Sequence, residues 1–425
     1  MAEEALELEK HILDFFLASA RKGSFNGVLA SIAVKAHLPT ECPLAVIAQL
    51  IEADRIDGVF ACRDTNPHIK RLPVLPKEKQ VELVQSAELN SFCLYPSSKV
   101  LAENVTQSEF SDRPFSRAML LGEAQLSYVT FDLGVLGRYR SDPRFIVKFH
   151  DYMGDMFISD AYYSSAEVPE RDKIGVDSFG LAVDADQIPH IVVFYRYLAD
   201  LTSEHQQYWN SFQAPHVPMC EEYFKSSILG DWWENRSIRF AIQEEMRLVN
   251  EMTKAVFGKK LFRHEMTDEL PFDLSAFLVP SSENFGTFIH SWDKLLSDNL
   301  NKEFFKGRVG SNFEQTLPDG RVSVHPKGTI TLLQEWLEKV ITGNGKAKII
   351  DAIVSPIRKI RQLRQEPAHK FQENQFSLEF HRRRREVLED VLGSLSCCRV
   401  VLARHRKARG IDVPDWLDSE KIHVF

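Results

Sequence analysis

Cysteine is scarce in this sequence: six residues in 425, at positions 42, 62, 93, 220, 397 and 398, with no CxxC pair and no Cys/His ligand ladder. That excludes a disulfide framework and points to a reducing interior. Uninterrupted apolar runs are short as well, none approaching the roughly 18 residues of a membrane-spanning helix. The opening MAEEALELEK has neither a basic n-region nor an apolar h-region, so no secretory signal is expected and the chain reads as cytoplasmic. Net positive charge is also missing. The formal charge is −8, which argues against a chain built as a whole to hold nucleic acid.

The charge that is present is unevenly spread. Residues 346–409 carry 16 Lys and Arg against 7 Asp and Glu, a local +9 on a remainder of −17. A basic segment on an acidic body suits an anionic partner, or docking between parts of the same chain. With 44% apolar residues, the length supports two to four domains with real cores.

Taken in order, residues 3–20, 26–37 and 40–54 pattern as three helices, with Thr40 as an N-cap, and IDGVFACR follows as a strand. Residues 1–63 therefore read as a winged-helix-like module. The third helix, ECPLAVIAQLIEAD, has no Lys or Arg before Arg55, whereas a helix in the DNA major groove brings cations to phosphates. A protein partner is the better expectation there. Residues 64–124 form an α/β connector. Over 125–195 the pattern turns to strands (LSYVTFDLGVL, RFIVKFH, DMFISDAYY, HIVVFY), a small antiparallel sheet. Its His150, Asp151, Asp155 and Asp160 are explained as turn and solvent-facing positions, and neither a metal nor another cofactor is expected.

Long helices follow and complete a central α+β domain, 125–306. One contains IRFAIQEEMRLVNEMTKAVFG, stopped by Gly258; another begins at Ser281 or Ser282 and contains His290, read as a packed helix residue. Residues 307–328 are rich in turn formers and read as a linker. Beyond it, 329–409 is an all-α bundle: a helix capped by Thr329 with Leu333, Trp336, Leu337, Val340 and Ile341 on one face; a ten-residue helix begun at Ser355-Pro356 and ended near Pro367; and a last helix over 375–405. Residues 410–425 are a tail. The fold class is thus α+β, with a winged-helix-like start and a helical-bundle end.

Arg followed after four to six residues by His occurs four times, at Arg63/His68, Arg144/His150, Arg364/His369 and Arg399/His405. Only Arg364/His369 falls in the helical bundle, within the basic segment and beside a proline. Arg offers a planar, permanently charged fork to a phosphate, and His moves protons near neutral pH.

RQEPAH, set between amphipathic helices of a C-terminal bundle, resembles the R-x4–6-H motif of HEPN (higher eukaryotes and prokaryotes nucleotide-binding) domains. Gln365 after the Arg and Ala368 before the His also match that pattern. The resemblance spans about residues 329–409. It implies a metal-independent endoribonuclease of the toxin or antiphage-defence kind, acting on RNA and pairing as a homodimer through its bundle. His369 and Arg364 are then the expected catalytic residues, leaving 2′,3′-cyclic phosphate ends. Arg358, Arg361, Gln365, Arg382 and Arg385 are the expected RNA contacts. The alternatives are a non-catalytic interaction or dimerisation protein, and a winged-helix DNA-binding regulator.

Overall fold

The structure, a computed structural model, describes residues 2–37, 42–231, 236–265, 277–317, 321–365, 373–418 and 422–423. Thr40, the expected helix cap, and Pro367, Ala368 and His369 of the RQEPAH stretch lie outside the described residues. The chain is mixed α+β, with many helices and small sheets. It divides into two units: Met1–Ile146, Asp155–Phe179 and Ile191–His216 form the first, and Val147–Gly154, Gly180–His190 and Val217–Phe425 the second.

The first unit begins with three helices, Ala2–Arg21, Ala30–His37 and Pro43–Glu52, and a three-stranded antiparallel sheet. Its strands β1 (Val28–Leu29), β2 (Ile56–Phe60) and β3 (Phe92–Pro96) lie in the order β1-β3-β2, with Val28 opposite Leu94 and Val59 opposite Cys93. Helical spacing puts Leu8 and Ile12 on one stripe and Val46, Ile47, Leu50 and Ile51 on another, and both face Phe92 and Leu94 in one core. β2 and β3 are buried along their whole length, which is why neither alternates in sequence. The FCLYP run of the expected connector is β3 itself. Ser97 caps the helix after it, accepting from the Val100 N–H.

Five further strands, β4 (Tyr128–Asp132), β5 (Phe145–His150), β6 (Met153–Ile158), β7 (Gly175–Val183) and β8 (Pro189–Phe194), form a sheet in the order β4-β8-β7-β6-β5. Four match the aromatic, β-branched runs of the sequence. β7, with Asp177 and Ser178 interrupting its apolar residues, gave no such signal.

In the second unit five long helices share one core: Ile238–Phe257, Ser282–Asp293, Thr329–Val340, Lys346–Gln365 and Glu379–Ala403. Met246, Trp292, Leu333, Trp336, Ile357, Leu388 and Leu395 meet in it. The Lys346–Gln365 helix packs against three of the others, Ser282–Asp293, Thr329–Val340 and Glu379–Ala403. Gly258 stops the first of these helices in the left-handed conformation (φ 76°), as its position demands.

Three local expectations need correction. The helix expected to begin at Ser355-Pro356 begins at Lys346 and carries Pro356 in its interior; the buried stripe Ile350, Ile353, Val354, Ile357 and Ile360 offsets the one amide hydrogen bond that proline removes. Thr329 is not the cap. Gly328 is, and the Thr329 hydroxyl instead donates to the Ser297 carbonyl at 2.7 Å. The 307–328 stretch contains an antiparallel hairpin, β9 (Asn312–Thr316) against β10 (Val322–Pro326).

Candidate functional site

Arg361 and Arg364 are one turn apart near the end of the Lys346–Gln365 helix, and that spacing puts both on one face. What they meet comes from the Ser282–Asp293 helix and its continuation. Ser281 caps that helix by accepting from the Asn284 N–H, and Phe285, Phe288, Ile289 and Trp292 bury its inner face. After Asp293 the chain passes into one π turn, Lys294–Asp298. Five residues advance a side chain about 140° around an α-helix, which would separate Asp293 from Asp298. A π turn closes residue i on i+5 and returns both carboxylates to the same side.

The result is a compact charge cluster. Asp293 is fully buried, and its Oδ1 lies 2.9 Å from Arg361 Nε while its Oδ2 lies 2.5 Å from Arg364 Nη1. Asp298, with 45% of its side chain exposed, takes Arg361 Nη2 at 2.6 Å on Oδ1 and Arg364 Nη1 at 3.2 Å on Oδ2. The Ser297 hydroxyl donates to Asp293 and accepts from Arg361 Nη2 at 2.6 Å. Burial pushes the Asp298 carboxyl upward, but the hydrogen bonds and charge of Arg361 and Arg364 outweigh it and hold it below the usual range. The hydrogen bond from Arg364 to Asp293 raises the Arg364 guanidinium further, so it stays charged.

The cluster opens on a cleft of about 750 Å³ lined by Arg263, Lys302 and Arg361, by Asp298 and Glu303, and by neutral donors including Thr329, Thr331 and Gln365. Arg263 donates to the Asp298 backbone carbonyl, which ties the cleft wall to the π turn. His290, half-buried on the Ser282–Asp293 helix, has its pKa lowered first by burial and then by the positive charge of Arg364 and Lys294. Its neutral form, the one able to accept a proton, is thereby favoured within electrostatic reach of Arg364.

The expected site residues thus separate. Arg361 and Gln365 line the cleft, Arg364 stands beside Arg361 on the same two carboxylates, and His369 lies outside the described residues. Arg358 faces elsewhere: it donates to Gln334 at 2.7 Å and lines a second groove of about 480 Å³ with Lys346, Asp351 and Glu338. Arg382 pairs with Glu379 and Glu386 on its own helix, and Arg385 with Glu389 and Gln187. Neither lines the cleft. Between them Arg383 covers the rings of Phe285 and Phe380, and Arg384 is buried over Phe277 with its pKa pushed down to about 9 by burial and the charge of Arg239. Four consecutive arginines on a helix point four ways.

Sequence reasoning passed over Asp293, Ser297, Asp298, Arg263 and Lys302. The only signal available was the acidic pair in the WDKLLSD run, and its α-helical spacing argued against a shared site. Among the described residues, no group of three or more His, Cys, Asp or Glu is placed to hold a metal ion. No helix among them is long and apolar enough to cross a membrane. No protein-family model matches the chain, and no curated protein and no solved structure matches it either.

Proposed function

We propose that the chain is a HEPN-type, metal-independent endoribonuclease of the toxin or antiphage-defence kind, acting in the cytoplasm and pairing as a homodimer through its C-terminal helices. The observation that carries this reading is the pairing of Arg361 and Arg364 over a buried carboxylate at the rim of a polar cleft that also takes Gln365. An arginine fork already oriented by a buried anion is preorganised to meet phosphate oxygens as charge builds in the transition state. His369, five residues beyond Arg364 in sequence, supplies the proton transfer: it takes the proton of the ribose 2′-OH, whose oxygen attacks the adjacent phosphorus, or gives a proton to the departing 5′-oxygen, which leaves as a 5′-hydroxyl, with water serving as the other proton carrier. The products carry 2′,3′-cyclic phosphate, and DNA, with no 2′-OH, survives.

For the N-terminal module, the order helix, strand, helix, helix, strand over residues 2–60 supports a winged-helix-like reading, while the third strand of its sheet, β3, comes only after a further helix, Lys77–Ser86. The Pro43–Glu52 helix has no basic residue, which favours a protein partner over DNA.

A second reading, a non-catalytic interaction module, has one observation in its favour: Arg361 and Arg364 already pair with carboxylates of their own chain. The test is incubation of mixed RNA with the purified protein in EDTA, beside His369→Ala and Arg364→Lys. The ribonuclease reading expects cyclic-phosphate ends from the parent protein alone, with activity down at least ~100-fold in each variant. If all three proteins leave equal toxicity in cells and none cleaves, the interaction reading takes its place.

A further inference from the structure

The two arginines are not held by equivalent partners. Asp293 lies beneath them, fully buried, and engages one nitrogen of each. Asp298 lies on the cleft side, half exposed, and gives one oxygen to each arginine, Oδ1 to Arg361 and Oδ2 to Arg364. Two oxygens on one central atom, each taken by a different guanidinium, is also how the two non-bridging oxygens of a phosphodiester would be taken. We propose that the Asp298 carboxylate is an internal stand-in for the substrate phosphodiester, and that RNA enters the cleft by displacing it.

This rests on the ribonuclease reading and adds a control to that site. Three features make the exchange feasible. Asp293 and the Ser297 hydroxyl keep the guanidiniums in place when Asp298 leaves. Arg263 bonds to the Asp298 backbone carbonyl rather than to its carboxylate, so the main chain stays fixed while the side chain rotates. The cleft beside it, about 750 Å³, is of the size that accepts a nucleotide-sized ligand. Once displaced, Asp298 remains in the wall of the same cleft and repels the incoming phosphate. It therefore weakens binding twice, by competition and by like charge, and sets a threshold below which weakly held RNA is not engaged.

The test uses the full chain and a fluorescein-labelled single-stranded RNA oligonucleotide with 2′-O-methyl groups, which offers phosphates but no 2′-OH to react. Fluorescence anisotropy at low salt gives Kd for the parent protein, Asp298→Asn, Asp298→Glu and Arg361→Gln. The expected result is tightening by roughly fivefold in Asp298→Asn, the scale of one half-exposed ion pair. Asp298→Glu stays within about twofold of the parent and Arg361→Gln binds more weakly. An unchanged or weaker Asp298→Asn beside a weakened Arg361→Gln overturns the displacement mechanism and leaves phosphate binding at the cleft standing. Equal tightening in Asp298→Asn and Asp298→Glu overturns it too, because charge is then not the cause. Absence of binding by all four proteins overturns it together with the cleft as an RNA site; the cleavage assay in EDTA judges the ribonuclease reading separately.

Discussion

The second unit contains two arginine–carboxylate constellations, each with one buried and one exposed carboxylate, whose arginines differ in their access to solvent. Arg399 and Glu245 join the Glu379–Ala403 helix to the Ile238–Phe257 helix with both side chains sealed, Arg399 Nε lying 2.8 Å and 3.0 Å from the two carboxylate oxygens, while Arg399 Nη2 reaches the exposed Asp418 at 2.5 Å. Arg361 and Arg364 meet Asp293 in the interior but Asp298 at the edge of a cleft. In the sealed pair burial raises the Glu245 carboxyl against the pull of Arg399; in the open one the arginines prevail and Asp298 is lowered. The difference teaches which contacts are built to persist. Removing one partner of a sealed pair strands a charge where no water reaches it, whereas water can replace a partner at the open edge.

The comparison breaks most sharply at Arg399. Its replacement by alanine leaves Glu245 buried and stripped of its partner, and the expected loss is about 3–5 kcal/mol. Denaturant titration measures it, and a loss below ~1 kcal/mol would mean that the pair does not brace the two helices.

His381 extends the comparison to a sealed group without a carboxylate in contact. It stacks on Phe277 with ring centroids 5.2 Å apart, and its Nδ1 has no hydrogen-bond partner among the described residues. Burial first, then the charge of Arg384 and the nearby His190, push its pKa down to about 4, with Asp184 opposing. The unfolded chain, with an ordinary value near 6.5, takes up this proton first. The stability that His381 contributes is therefore present in full above pH 6.5 and is lost as pH falls toward 4, on the order of 3 kcal/mol. His381→Phe keeps the ring stack and should flatten that slope. Parallel slopes for the two proteins between pH 7 and pH 4 would show that the imidazole is not the group responsible.

The smallest effect is expected at Asp298. Because it is half exposed, Asp298→Asn should change stability by less than ~1 kcal/mol. Its lowered carboxyl supports the fold above the ordinary carboxylate pKa, and that support goes as pH falls through the depressed value. A loss as large as that from Arg399→Ala would make Asp298 a structural brace and remove the basis for its displacement.

Much of the architecture was legible residue by residue. The helical stripes at Leu333, Trp336 and Leu337 (i, i+3, i+4) and at Val387, Leu388 and Val391 (i, i+1, i+4) are buried as their spacing required. Gly258, Ser97 and Ser281 end or begin their helices for local reasons that need no tertiary contact. The start at Ser355-Pro356 misled because local proline chemistry was weighed without the buried stripe on both sides of it. The 307–328 hairpin was missed because its strands are short and exposed, so no burial pattern marked them.

The candidate site was legible only in half. The sequence marked the Arg364 neighbourhood by its charge and its proline, and nothing in it linked that neighbourhood to Asp293, Ser297 and Asp298, some 63 to 71 residues earlier in the chain. Helix positions, caps and the basic segment were determined by the sequence itself, since they depend on side chains within a few residues of one another. Which arginines face a cleft, which pair within their own helix and which carboxylate is sealed were decided by packing. Those outcomes depend on a π turn and on the approach of two helices distant in sequence, and neither leaves a periodic trace.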